Sequence, residues 1–132
     1  MQQNFGRVIV PANLHTSPEP HELEVARILA DHFFCDVEFL IPIDDYLRKT
    51  ADILMLGVEW EIKCPNGASK STVRNQFRRA SRQSKSIIID TRRTKLAYEN
   101  IYKAVLLEVK ERPYIKNVIL IDKFKNIIEL RL

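Results

Sequence analysis

This chain of 132 residues is short of cysteine, glycine and long apolar runs, and each shortage excludes something. Cys35 and Cys64 can form one disulfide at most and show no Cys-x-x-Cys spacing, so a disulfide-stapled scaffold is excluded. They read as reduced thiols that pack. Three glycines and six prolines exclude fibrous or low-complexity character. The apolar stretches, such as 39–43 and 87–89, fall far below the roughly 18 residues of a membrane span. The opening Met-Gln-Gln-Asn-Phe-Gly lacks the charged-then-apolar pattern of a signal peptide. A cytoplasmic protein with no membrane partner is therefore expected.

What is present fits one globular unit. The chain is 45% hydrophobic and 29% charged, too apolar for disorder, and its length suits a single core. We read residues 1–132 as a single domain, with 1–19 as a strand and irregular lead-in and 20–132 as the core. The formal net charge of +4 is unevenly placed. Between Gly67 and Lys95 stand nine basic residues and one acid, Asp90. A single arginine there reads as a solvated face. Nine cations to one acid point instead to a polyanion such as nucleic acid.

The elements follow from periodicity. Residues 7–10 suggest a short strand. Glu19-Pro20-His21-Glu22 opens a helix to about Phe33, with Leu23, Ala26, Leu29, Ala30 and Phe33 as its inner stripe and Glu24 on the outer side. A strand follows over 37–41, then the polar Asp44-Asp45 of a loop. Two runs rich in β-branched and aromatic residues flank Gly57 and predict a hairpin, in which Trp60 and Ile62 share one face and Glu59, Glu61 and Lys63 the other. Ser69 or Ser71 caps a second helix whose inner line is Val73, Phe77 and Ala80. Residues 86–91 are too continuously apolar for a half-exposed strand and belong in mid-sheet. A third helix over 94–111, with Ala97, Ile101, Val105 and Val109 inward and Tyr98 and Tyr102 half-buried, precedes a closing hairpin over 118–130. The order predicts an α/β fold with a mixed β-sheet flanked by helices on both faces.

Within this frame, Asp52, Glu61 and Lys63 fall where a metal-assisted hydrolase would need them. Each alone is unremarkable. Glu22 reads as a helix cap, Asp52 as a turn residue, and Glu-x-Lys as an alternating solvated face. Together, Asp52 and Glu61 stand on two arms of one hairpin and can converge on one cation, and such oxygen ligands suit Mg²⁺ or Mn²⁺, with Zn²⁺ also admissible. Lys63 projects to the same side and can steady phosphoryl charge. The basic helix follows at once, so Lys70, Arg74, Arg78, Arg79 and Arg82 can hold a phosphate backbone. His15, His21 and His32 show no metal spacing, although His21 sits beside Glu22.

The order of these pieces resembles the PD-(D/E)xK nuclease superfamily. More narrowly it resembles the C-terminal toxin domains of contact-dependent growth inhibition (CdiA-type) proteins. The matching residues are His21-Glu22 with Ala26 and Leu29, Asp36 to Leu40, Ala51-Asp52-Ile53, Gly57, Trp60-Glu61-Ile62-Lys63 with Pro65, Ala80 with Gln83, Ile87 to Asp90, and Val118 to Asp122. The resemblance covers about residues 20–132 and implies a restriction-endonuclease-like sheet and a divalent-metal endonuclease acting on RNA, tRNA in particular. It makes Asp52 and Glu61 metal ligands, Lys63 the catalytic lysine, Glu22 a supporting carboxylate, and Gln83 a phosphate contact or an orienting group. An acidic immunity protein would then cover the basic face. Two other readings stand beside it. One is a nucleic-acid-binding module with a vestigial site. The other is a metal-independent ribonuclease using His21 and Glu22 as its acid–base pair.

Overall fold

The computed structural model describes residues 6–14, 17–43, 50–67 and 69–131. His15 and the Asp44-Asp45 pair lie outside the described residues, as does the side chain of Lys70. The elements run β1 (Val8–Ile9), α1 (Pro20–Phe33), β2 (Val37–Phe39), β3 (Ile53–Met55), β4 (Val58–Lys63), α2 (Lys70–Ala80), β5 (Ser86–Asp90), α3 (Tyr98–Glu111), β6 (Asn117–Ile121) and β7 (Ile127–Arg131). Among the described residues this is an α/β fold: one mixed seven-stranded sheet with strands in sequence order and three flanking helices. β1 pairs parallel with β2, and β2 to β4 form an antiparallel meander. β4, β5 and β6 are mutually parallel, and β7 returns antiparallel.

The alternation along β5 shows why helices lie on both faces. Ile88 packs with Val25, Ala26 and Leu29 of α1 and with Trp60 and Ile62. Its neighbours Ile87 and Ile89 pack with Val73 and Phe77 of α2 and with Ile101 and Val105 of α3. Every residue of β5 is buried, as expected of a strand covered on both sides. The β3–β4 turn is built by Leu56 at φ 55° and Gly57 at φ 72°, the left-handed pair that matches the twist of a two-residue hairpin. Ser69 caps α2, its side chain accepting from the Ser71 amide.

The structure moves several sequence expectations. The inward stripe of α1 is Val25, Ala26, Leu29 and Ala30, whereas Leu23 lies 37% exposed. Helix α3 begins at Tyr98 rather than near 94, because the Thr94 hydroxyl accepts from the Leu96 amide and donates to the Gly67 carbonyl, holding 91–96 as a turn. Ala97 is consequently an exposed N-cap and Tyr98 is 42% exposed. The 37–41 strand ends at Phe39. Glu24 lies on the outer side of α1 as expected, with its side chain 43% exposed, and there it takes ion pairs from Arg92 at 2.9 Å and Lys125 at 2.7 Å. Among the described residues no helix is long and apolar enough to cross a membrane.

Candidate active site

The hairpin places the candidate chemistry. Ile53 lies opposite Trp60 in the β3–β4 register, so the residue before it, Asp52, stands across from Glu61. Asp52 sits in a bend just ahead of β3 rather than inside it. Its amide donates to the Trp60 carbonyl at 3.0 Å, and its Oδ2 accepts the Ile62 amide at 2.8 Å. That second bond fixes the carboxylate against β4. Trp60 is buried, its Nε1 donating to the Met55 carbonyl at 3.1 Å, which anchors the other face of the same strand.

Glu61 is not the solvated residue that a Glu-x-Lys alternation suggests on an edge. β4 lies between β3 and β5, and Glu61 is only 2% exposed. Its Oε2 meets Lys63 Nζ at 3.1 Å, while its Oε1 is buried with no hydrogen-bond partner among the described residues. Burial, and then the Asp52 carboxylate beside it, push the Glu61 carboxyl up to about 8 against the pull of Lys63. Lys63 Nζ also donates to Gln83 Oε1 at 3.5 Å, so the turn following α2 reaches back to the strand.

A cleft of about 250 Å³ opens beside Asp52, lined also by Glu19, Glu22, Phe39, Pro42 and Thr50. Glu22 therefore shares a wall with Asp52. The capping role is equally real: Glu22 Oε1 accepts the Glu19 amide at 3.0 Å in a reciprocal capping box. His21 lies beside Glu22 at the helix head, as expected. Among the described residues, ligand atoms of Glu19, His21 and Glu22 lie within 4.8 Å of one another, a grouping whose signal was the spacing Glu-x-His-Glu at the helix head. His21 Nδ1 is 3.4 Å from Glu19 and 3.3 Å from Arg93 Nη1.

The structure thus brings together Asp52, Glu61, Lys63 and Gln83, with Glu22 on the adjoining wall. Arg74, Arg78 and Arg79 are exposed along α2, and Arg82 is exposed in the turn that follows it, because the helix ends at Ala80. Arg92 departs from the basic run. It is spent on Asp90, giving Nε at 2.8 Å, Nη2 at 2.9 Å and its amide at 3.1 Å. A divalent cation fits the hairpin pair on chemical grounds. A buried carboxyl oxygen with no partner among the described residues, beside a second carboxylate, is an oxygen site that a hard cation would satisfy by taking the place of the Glu61 proton.

The fold and this site define an α/β protein with paired carboxylates and a lysine on one hairpin. Residues 49–127 match the family described as the contact-dependent growth inhibition CdiA C-terminal domain, and the chain belongs to that family. A solved structure, the CdiA-CT/CdiI toxin and immunity complex from Burkholderia pseudomallei, is similar with a TM-score of 0.66 at 16% identity. The match covers 93% of this chain and 98% of that one, and at such identity it establishes a common fold. No curated protein matches the sequence.

Proposed function

We propose that residues 1–132 form one toxin domain of a contact-dependent growth inhibition system, a PD-(D/E)xK endonuclease acting in a target cell's cytosol. The observation that carries this reading is the buried, unpartnered Glu61 Oε1 beside Asp52, with Lys63 Nζ at 3.1 Å on the other oxygen. Asp52 and Glu61 would hold Mg²⁺ or Mn²⁺, Zn²⁺ being the alternative ion. That ion would supply Lewis acidity and a nucleophilic hydroxide for phosphodiester hydrolysis. Lys63 donates to a phosphoryl oxygen as charge builds on it, and Gln83 holds the ammonium in place. Glu22, on the cleft wall, orients water. Arg74, Arg78, Arg79 and Arg82, with Lys70 at the helix start, bind the backbone by charge. RNA, and tRNA in particular, is the substrate class that the resemblance implies. The partner of the similar solved toxin is an immunity protein. We infer an acidic counterpart here, bound over the basic face with strong salt dependence.

A second reading has one observation behind it. His21 stands between Glu19 and Arg93, the parts of a metal-independent ribonuclease that transfers protons with an imidazole and steadies phosphate with a guanidinium.

The test is cleavage of total tRNA and of duplex DNA in Mg²⁺, Mn²⁺, Zn²⁺ or EDTA, beside Lys63→Ala and Glu61→Gln. The proposal expects cleavage of tRNA that needs metal and disappears in both variants. Cleavage that persists in EDTA and is lost in His21→Ala selects the second reading. Binding without cleavage in any metal, unchanged in the variants, identifies a vestigial binding module and overturns both.

A further inference from the structure

The C-terminal ends of β4, β5 and β6 point the same way, and that end carries a feature the cleavage site does not use. The β6–β7 turn presents Phe124 with 86% of its surface exposed, the most exposed large apolar side chain among the described residues. The turn is held firmly. Asp122 Oδ1 accepts the amides of Phe124 and Asn126, both at 2.8 Å, and Oδ2 accepts Asn126 Nδ2 at 3.1 Å. Lys125 adopts φ 67°, a left-handed position where glycine is usual, and its ammonium reaches Glu24 of α1 at 2.7 Å. An aromatic ring is thereby fixed in water, although exposing it is unfavourable.

Its surroundings indicate what would cover it. Tyr98, Asp122 and Lys123 line a hollow of about 270 Å³ with Phe124, and Tyr98 stacks on Tyr102 with centroids 5.8 Å apart. The one acid of the hollow, Asp122, is already engaged by three N–H donors. Lys123 has no ion-pair partner among the described residues, and Arg93 and Lys95 are exposed on the preceding β5–α3 loop. Strand ends two apart are separated by roughly 10 Å, so this patch lies within reach of a strand of nucleic acid held at Lys63. Aromatic planes next to exposed cations are the components of single-strand recognition, the ring taking a base and the cations its phosphates.

We propose that Phe124, Tyr98 and Lys123 form a subsite that stacks one unpaired nucleobase of the substrate, so that the domain engages single-stranded segments such as loops rather than continuous duplex. This deepens the nuclease reading and rests on it.

The test reads binding separately from cleavage. Intact protein in EDTA is titrated into a single-stranded RNA carrying 2-aminopurine and into a duplex of the same length, with gels confirming that the RNA stays whole. Phe124→Ala is expected to lose roughly ten-fold in affinity for the single strand, to leave duplex affinity unchanged, and to lose the stacking quench. Phe124→Trp is expected to restore both. Thermal melts of each variant matching the wild type exclude a folding effect. Equal single-strand affinity and quench in Phe124→Ala overturn the subsite, even where the chain cleaves RNA. If Phe124→Ala instead loses only its immunity partner, the patch is a protein interface and the subsite is wrong. Stacking without any metal-dependent cleavage keeps the subsite and rejects the nuclease. No binding to either oligonucleotide overturns the subsite, whereas the tRNA cleavage assay decides the nuclease reading independently.

Discussion

Two carboxylates are buried on neighbouring strands of this sheet, and they are treated in opposite ways. Asp90, at the end of β5, is fully buried and saturated. Arg92 gives it three N–H donors, and Cys64 Sγ approaches at 3.5 Å. Arg92 goes on to the His21 carbonyl and to Glu24, tying the head of α1 to the sheet. Glu61 on β4 is buried too, yet one of its oxygens has no hydrogen-bond partner among the described residues and Asp52 lies beside it. A carboxylate surrounded by donors stabilises the fold. A carboxylate left short of donors beside another acid opposes the fold, and persists where a ligand completes it. The lesson is that burial alone does not separate structural from functional acids; the donor count does.

The largest effect that would break this comparison is on stability. Arg92→Ala leaves Asp90 buried without its cation and is expected to destabilise by about 3–5 kcal/mol, read from urea or thermal unfolding. An effect below about 1 kcal/mol would mean that Asp90 is not the structural acid described. Glu61→Gln keeps the shape, removes the buried acid that stands against Asp52, and is expected to leave the melting temperature equal or higher while reducing cleavage about 100-fold or more. A melting temperature falling as far as that of Arg92→Ala would erase the distinction between the two sites. A smaller effect sharpens it: millimolar Mg²⁺ or Mn²⁺ should raise the melting temperature of the wild type by a few degrees, since binding at ~100 times Kd stabilises by about 2.7 kcal/mol. Asp52→Ala should show no such rise.

Two lesser effects follow from charge. Burial, then Asp90 with Glu22 behind it, push the Cys64 thiol well up, and burial raises Cys35 less strongly. Native alkylation at pH 8 should therefore be slow at both and slowest at Cys64, measured by mass spectrometry. At the other end of the sheet, Arg7 donates from its amide at 2.9 Å and its guanidinium at 2.8 Å to Asp36, holding that carboxyl below its ordinary value. A depressed carboxylate contributes stability above its unfolded pKa of about 3.9 and loses it as pH falls through the folded one. The melting-temperature gap between wild type and Asp36→Asn should be small and flat from pH 8 to 5, and should close below pH 4.

Much of the fold was legible because its signals are local. The continuous Ile87-Ile88-Ile89 run could only be a covered strand, and Gly57 between two β-rich runs could only be a tight turn. The Asp52 and Glu61 pairing was legible for the same reason, since hairpin register follows from turn length. Helical phase placed Glu24 on the outer side of α1, but it could not show that Arg92 and Lys125 arrive there from connections roughly 70 and 100 residues later. The start of α3 was misread because a threonine hydroxyl diverted the backbone into a turn that propensity does not register.

By itself the sequence determined the order of elements, the hairpin that opposes Asp52 to Glu61, and the concentration of positive charge after it, because each depends on neighbours within a few residues. Only the tertiary structure decided that Glu61 is buried and short of a partner, that Arg92 is withdrawn from the basic surface, and that Phe124 is fixed in solvent at the same end of the sheet. Those outcomes depend on which distant chains deliver donors, cover and charge to a given point. A one-dimensional pattern does not encode that accounting, and packing completes it.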